Sequence, residues 1–331
     1  MSLNDKPVVL PTNQQGMALV LVLWMLVLLT TIANSLVFSS RSEILIANNL
    51  AQLAQAEALA DAGFFKAIHM LQSAAVGQQA GAQSTVQVDP TRWRADGMTR
   101  SWGYRGSELL VTIIDETGKI DVNSAPPPLL QGLFRSVGVD EALSVSLVDA
   151  MLDWRDTDDL RRPHGAEKAE YASKGLPYGP ANSDFESIDE LRQVLGMNES
   201  IFNQIEPYIT VHSGQGGINS SLAPRQVLLS IPGVSVEQVE QFIAQRQGLL
   251  EQGLPPPPFS AAQGFSVSQN TVTYSIHVEA VMGDNATFAR QAVVRLSGPP
   301  TEPFAILDWR TLSVVDRTTS VAGVQPDVTR R

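Results

Sequence analysis

Met17 to Phe38 is a run of 22 residues with no charged side chain, rich in Leu and Val and free of Gly and Pro. A membrane-spanning helix needs roughly 20 apolar residues, so the run predicts one. A secretory signal would carry a shorter apolar core, about 7–15 residues, behind a basic start. The segment before Met17 has only Lys6, opposed by Asp5. Positive charge does little to orient the span, since Lys6 and the amino terminus are weighed against Arg41. Beyond Arg41 the pattern becomes amphipathic without a break, and there is no proline as far as Val76. Apolar residues recur at Leu50, Leu53, Ala60, Phe64 and Leu71, with Glu57 interrupting. Spacings of three, four and seven place them on one helical face. A single helix over Met17–Val76 would extend about 90 Å. Its front half suits lipid or neighbouring helices, and its Phe64 face suits a globular body.

The small, polar stretch Gly77–Gln87 reads as a linker. Strand patterns follow at Ser101–Arg105 and Leu109–Ile114, with a turn at Asp115–Gly118 and a short strand at Lys119–Asn123. After Ala125–Pro128 the texture is helical to about Gln252, and Pro255–Pro258 ends it. Phe265–Val267, Thr271–Met282 and Thr287–Leu296 again read as strands. Two separate β-domains would each be too small to bury a good core. The expectation is therefore an α+β protein: a long N-terminal helix packed on an antiparallel sheet, with a large all-helical domain inserted between the β-segments. The boundaries expected are a leader at 1–16, a helix at 17–76, β-regions at 77–123 and 255–317, the helical insertion at 124–254 and a polar tail at 318–331. The insertion repeats a unit of helix, Gly-containing hairpin and helix. One copy runs through Val137-Gly138-Val139, another through Ile231-Pro232-Gly233-Val234, and a related turn lies at Gly196. Glycine there permits a tight turn with positive φ.

Charge narrows the function. Net charge is -11, with 34 acidic and 23 basic residues. That balance argues against a nucleic-acid partner. Leu229–Val234 looks like a helix-hairpin-helix, a module often used to hold DNA phosphates, but Glu237, Glu240 and Glu251 outnumber Arg246 beside it. A packing unit is the simpler reading. With no cysteine, disulfides and thiolate metal sites are excluded. The four histidines are scattered, and no nucleophile elbow, P-loop or dinucleotide fingerprint is present.

The acidic stretch Asp149–Glu190 holds eleven acidic and five basic residues. It combines Asp153-Trp154-Arg155-Asp156-Thr157-Asp158-Asp159 with Glu167 and with Pro177–Asp184. Carboxylates, an amide oxygen and loop carbonyls are the ligands calcium prefers. It is no EF-hand, because Leu160 falls where an acidic ligand belongs and the loop glycine is missing. Spacing alone leaves open both a calcium site and a solvated face in which Asp156 pairs with Arg161 or Arg162.

These residues together resemble a known family, the K-type minor pseudopilins of bacterial type II secretion systems. The resemblance rests on Gly16-Met17 with Trp24, on Asp153-Trp154-Arg155-Asp156-Thr157-Asp158, on Pro177-Tyr178 and Ala181-Asn182 through Phe185, and on Glu190-Leu191-Arg192 through Gly196-Met197. The Gly16 start is common to all pilin-like proteins; the central motif is far more specific. The resemblance implies a type IV pilin-like fold and no enzymatic activity. It implies cleavage between Gly16 and Met17 by the prepilin peptidase, with N-methylation of Met17. It implies a single-pass inner-membrane anchor, a periplasmic body, and a place at the tip of the pseudopilus. Implied partners are the I-type and J-type minor pseudopilins, the major pseudopilin and the inner-membrane assembly platform; contact with secreted substrates is a further expectation. Calcium is the implied structural cofactor, with Asp153, Asp156, Asp158, Glu167, Asn182, Asp184 and Glu190 as candidate ligands. The alternatives are a tip pilin of a type IV pilus or DNA-uptake filament, and a membrane-tethered metal-dependent hydrolase.

Most pilin-like proteins carry glutamate five residues into the mature chain, where this one has Leu21. A buried carboxylate is costly in lipid unless paired. In a filament it can pair with the cationic amino terminus of a neighbouring subunit. Leu21 offers no such charge to a subunit above, which is consistent with a tip position.

Overall fold

A computed structural model of the chain describes residues 15–79, 93–252, 254–267, 272–282, 286–297 and 301–312. The first helix, α1, is Gln15–Gln79. It is unbroken at Asn34-Ser35, and it reaches three residues into the stretch expected as linker. The rest of that linker, most of the leader and the tail from Thr318 lie outside the described residues. The chain forms two compact units, one ending at Gln55 and one beginning at Ala56. In the first unit, Met17–Phe38 is helical and exposed along its whole length, and it is long and apolar enough to cross a membrane.

In the second unit, five antiparallel strands form one sheet. They are β1 (Asp96–Tyr104), β2 (Ser107–Asp115), β5 (Thr273–Met282), β6 (Ala286–Arg295) and β7 (Ala305–Leu312), in the spatial order β1-β2-β5-β6-β7. Ala56, Leu59, Ala60, Phe64, Ala67, Ile68 and Leu71 form the buried stripe of α1, packed with Val111, Ile113, Ile276, Val278 and Val294 of the sheet. The expected face is thus confirmed at Ala60, Phe64 and Leu71. Leu50 and Leu53 are corrected: both are exposed, because the apolar stripe that meets the sheet begins only at Ala56. Glu57 serves a purpose at its position. Arg290, buried in β6, reaches Glu57 at 2.9 Å and Asp61 at 3.0 Å, while its guanidinium lies 4.5 Å from the Trp309 ring.

Strands β2 and β5 are direct neighbours, with Asp115 opposite Tyr274, yet the whole helical domain lies between them in sequence. That domain contains β3 (Ile120–Asp121), α2 (Pro127–Ser136), α3 (Glu141–Arg155), α4 (Lys168–Ser173), α5 (Glu199–Ile205), β4 (Ile209–Thr210), α6 (Arg225–Leu229) and α7 (Val236–Glu251). It has its own core, from Leu129, Leu133 and Phe134 through Met151 and Phe202 to Val227 and Phe242. The repeat is real: α2–α3 turns at Gly138 (φ 90°) and α6–α7 at Gly233 (φ 80°), values that only glycine adopts freely. The short strand expected at Lys119–Asn123 is β3, which pairs in parallel with β4 outside the main sheet. Phe265–Val267 is not a sheet strand; it closes a single bridge, Ser266 to Ile218, and ties the returning chain to the helical domain. Strand β7 carries the exposed apolar residues Ile306 and Trp309 at the sheet edge, where the sequence pattern does not mark a strand.

A buried ion pair lies where the chain leaves the sheet. Lys119 Nζ is 2.7 Å from Glu116 Oε1, and the Ser275 hydroxyl of β5 donates to the same oxygen at 2.5 Å. Burial alone would raise the Glu116 pKa, but Lys119, Ser275 and Thr210 together outweigh it and hold the group below its ordinary value. Removing one member leaves a lone buried charge. Lys119→Met is expected to lower stability by about 3–5 kcal/mol, with Glu116→Gln/Lys119→Met recovering part of that loss. Urea unfolding of the detergent-solubilised chain reads both, and a double variant that is less stable than Lys119→Met would show that no unpaired buried charge was being relieved.

Candidate cation site in the acidic loop

Helix α3 delivers the first acidic side chains. Asp149 and Asp153 share a face at a spacing of four, and Asp156 is the residue at the helix C-cap. Asp153 is fully buried. It accepts the backbone N–H of Arg162 at 3.3 and 3.2 Å, which folds the following loop back onto α3. Gly165 is needed for that return, since a Cβ there would lie 2.0 Å from Asp153 Oδ2. Glu167 then sits at the N-cap of α4, and Glu170 accepts its N–H at 3.0 Å. Aromatic contacts pack the loop from beneath: Trp154 stacks on Phe185 at 6.0 Å and lies 6.1 Å from Tyr171. Asn123 holds Phe185 by both backbone groups, accepting its N–H at 2.8 Å and donating to its carbonyl at 2.9 Å.

The loop leaves several oxygens buried without a hydrogen-bond partner. They are both carboxylate oxygens of Glu167, Asp156 Oδ1 and Asn182 Oδ1. Glu167 is 6% exposed. Burial pushes its pKa up to about 7, helped by the charges of Asp153, Asp156, Asp159 and Asp158. Burial likewise raises Asp153 and Asp156 above the ordinary carboxylate range. Asn182 takes a left-handed conformation (φ 51°) and donates Nδ2 to Asp159 Oδ1 at 3.2 Å, which leaves its own oxygen free. Buried unpaired oxygens are costly, and each needs an explanation.

The seven candidate ligands therefore separate. Asp153, Asp156, Glu167 and Asn182 line or support one acidic pocket. Asp158 adds charge nearby, but it is exposed and one oxygen accepts the Leu160 N–H at 2.8 Å. Asp184 is exposed and acts through space on Arg155. Glu190 is engaged elsewhere: it accepts the N–H groups of Glu186 and Ser187 at 2.9 and 3.0 Å as the cap of the 3-10 turn Ile188–Gln193. A glutamate three residues after Ser187 is a capping-box spacing, so that role could have been read from sequence. Asp159 and Arg162 join the pocket, and neither was a candidate ligand. Among the described residues, no three acidic or histidine side chains converge into a finished metal cluster. The donor set nevertheless fits a hard cation, because four buried oxygens of Asp156, Glu167 and Asn182 lack hydrogen-bond partners and the groups around Glu167 carry excess negative charge. Nothing in the pocket pairs a nucleophile with a base.

A family model described as type II secretion system (T2SS), protein K matches residues 110–214, which covers β2 from Leu110 and the helical domain through the acidic loop. The putative type II secretion system protein K of Escherichia coli (strain K12) is 28% identical over 213 residues, 60% of this chain and 63% of that protein. Type II secretion system protein K of Pectobacterium carotovorum is 23% identical over 199 residues and is spanned to 60% of its length. The chain thus spans about three fifths of these two relatives. The Pseudomonas aeruginosa protein K is 26% identical over 246 residues, 71% of this chain and 73% of that one. Among solved structures, a chain in the crystal structure of the GspK-GspI-GspJ complex from the enterotoxigenic Escherichia coli type 2 secretion system matches at a TM-score of 0.50. It is 15% identical and covers 76% of this chain and 97% of the other, a likeness of fold. With its long N-terminal helix, antiparallel sheet and helical insertion, the chain resembles type II secretion system protein K, in sequence over residues 110–214 and in overall fold.

Proposed function

We propose that this chain is a minor pseudopilin, a non-enzymatic subunit that caps the type II secretion pseudopilus, helps initiate its assembly and so supports export of folded proteins across the outer membrane. The observation that carries the reading is the large helical domain inserted between neighbouring strands β2 and β5, which follows an apolar helix of membrane-spanning length. The helix would anchor the precursor in the inner membrane with the body in the periplasm. Partners would be I-type and J-type minor pseudopilins, as in the complex named for the structural neighbour, with the major pseudopilin, the assembly platform and secreted substrates beyond them. Processing would fall between Gly16 and Met17. Leu21 supports a place at the top, since it offers no carboxylate to the amino terminus of a subunit above.

We propose further that the acidic pocket holds calcium as a structural ion, with Glu167, Asp156 and Asn182 as the residues that would hold it and Asp153 as the residue that sets the loop. A bound divalent cation would supply the positive charge these oxygens lack. Without it, burying Glu167 in its charged form is unfavourable, and the group keeps its proton to higher pH in the folded chain than in the unfolded one. The folded state then binds more protons between the ordinary value of 4.5 and about 7, so stability declines as pH rises through that window. Calcium reverses the trend by favouring the ionised form.

Three outcomes are expected. Mass spectrometry of the mature chain finds an N-methylated Met17; a terminus beyond Ala33 would overturn the processing assignment. Leu21→Glu alters secretion or the stoichiometry of the tip complex, and no change in either would remove Leu21 as the determinant of position. Thermal melts in chelator show a lower Tm at pH 8 than at pH 5.5, a difference that calcium or Glu167→Gln diminishes. Melts that respond to neither would count against a cation in this pocket.

A further inference from the structure

Within the pocket, the negative charge that faces Glu167 is answered at ion-pair distance by Arg162, held loosely, while Arg155 acts on Asp156 through space. Arg162 lies across the pair formed by α3 and its C-cap: Nε is 3.6 Å from Asp153 Oδ1, and a terminal nitrogen is 3.3 Å from Asp156 Oδ2. These are ion-pair distances without hydrogen-bond geometry, and Nε is itself buried with no hydrogen-bond acceptor. The side chain is 37% exposed, so a path to solvent is open. The hydrogen bonds and close contacts of the other nearby basic side chains lie elsewhere. Arg155 donates to the carbonyls of Val122 and Ala125, Arg161 pairs with Glu170 at 3.3 Å, and His164 faces Asp149 at 3.4 Å. Asp156 thus has one oxygen turned to Arg162 and the other buried without a partner.

We infer that Arg162 is the resident counter-cation of this site: its guanidinium partly neutralises Asp153 and Asp156 in the cation-free chain, and it competes with a divalent ion for the same carboxylates. The inference rests on the calcium reading and adds its regulation. An arginine in this place does two opposed things. It lowers the repulsion among Asp153, Asp156 and Glu167 when no ion is present, so the loop can fold first. It also places a like charge beside any incoming cation, which weakens binding and sets the concentration at which the ion takes over. The poor geometry matters, because a bidentate arginine would lock the site whereas this one can leave it. The backbone N–H of Arg162 holds Asp153 whatever the side chain, so replacing the side chain leaves that anchor in place.

The test is calcium titration by calorimetry on the purified full-length chain in detergent, with thermal melts in chelator and in calcium. Arg162→Met is expected to bind calcium at least about tenfold more tightly, because a unit charge a few ångströms from the ion is removed. The same variant should melt lower than wild type in chelator. Arg162→Lys keeps the charge and should bind near the wild-type level; Arg162→Gln serves where the methionine variant fails to fold. A folded neutral variant that binds calcium no better than wild type overturns the competition while leaving the calcium reading intact. If neither wild type nor the neutral variants show binding heat or a calcium-dependent Tm, the calcium reading fails and this inference falls with it.

Discussion

The architecture depends on one constraint: a whole domain must leave and rejoin the sheet between two strands that are hydrogen-bonded to each other. Asp115 ends β2 directly opposite Tyr274 near the start of β5, so the outgoing and returning chains are fixed side by side. Two antiparallel strands can be joined by a two-residue turn. Here the turn is replaced by a helical domain with its own core, and the crossing point must be made rigid by other means. Glu116, Lys119 and Ser275 do this from both sides of the gap. Asn219 N–H donates to the Thr117 carbonyl at 2.7 Å, and Ile218 bridges to the returning segment at Ser266. A buried ion pair is weak evidence for net stability. Its value at this position is geometric, because apolar contacts alone would tolerate several orientations of one core against another.

A second polar device operates where α1 meets the sheet. The buried stripe of α1 interleaves Ala56, Ala60 and Ala67 with Leu59, Phe64, Ile68 and Leu71, and the small residues let the helix come close to the strands. Close packing of small residues specifies rotation about the helix axis poorly. Arg290 supplies what is missing, because its two carboxylate partners lie one turn apart on α1 and its ring contacts lie on β6 and β7. An arginine fork held between two acids tolerates little rotation or sliding.

The features legible in the sequence are those set by local pattern. Uninterrupted apolar length, the three-four spacing through Phe64 and the glycine-marked hairpins all appear in the structure where the pattern placed them. The misreadings share a cause, since each depended on contacts distant in sequence. Nothing in Leu50 or Leu53 tells where the sheet begins. Phe265–Val267 has strand composition, but its partner is Ile218 of the helical domain. Strand β7 mixes Asp308, Arg310 and Thr311 with apolar residues, because an edge strand pairs on one side only and need not alternate. In the acidic loop, composition indicated oxygen ligands but could not rank them. Ranking came from which atoms the fold leaves unpaired, and that separates Glu167 from Glu190 although both look alike in a list of carboxylates.

The acidic loop and the ion pair at the domain junction solve opposite problems with the same chemistry. At the junction, Lys119 satisfies Glu116 fully, with short contacts and added hydroxyl donors, and the charges cannot leave. In the loop, the Arg162 side chain approaches Asp153 and Asp156 without hydrogen-bonding either, and the Glu167 carboxylate, facing the Glu170 backbone at the start of α4, makes no full hydrogen bond. A purely structural loop under selection for stability would replace Glu167 with an apolar residue, since its environment disfavours the charge at neutral pH. Keeping a buried carboxylate unsatisfied is reasonable only if something satisfies it in the working state. Under the proposed calcium reading, the unpaired oxygens at Glu167, Asp156 and Asn182 are half of an interaction whose other half arrives from solution, with the loosely held arginine maintaining the fold until then.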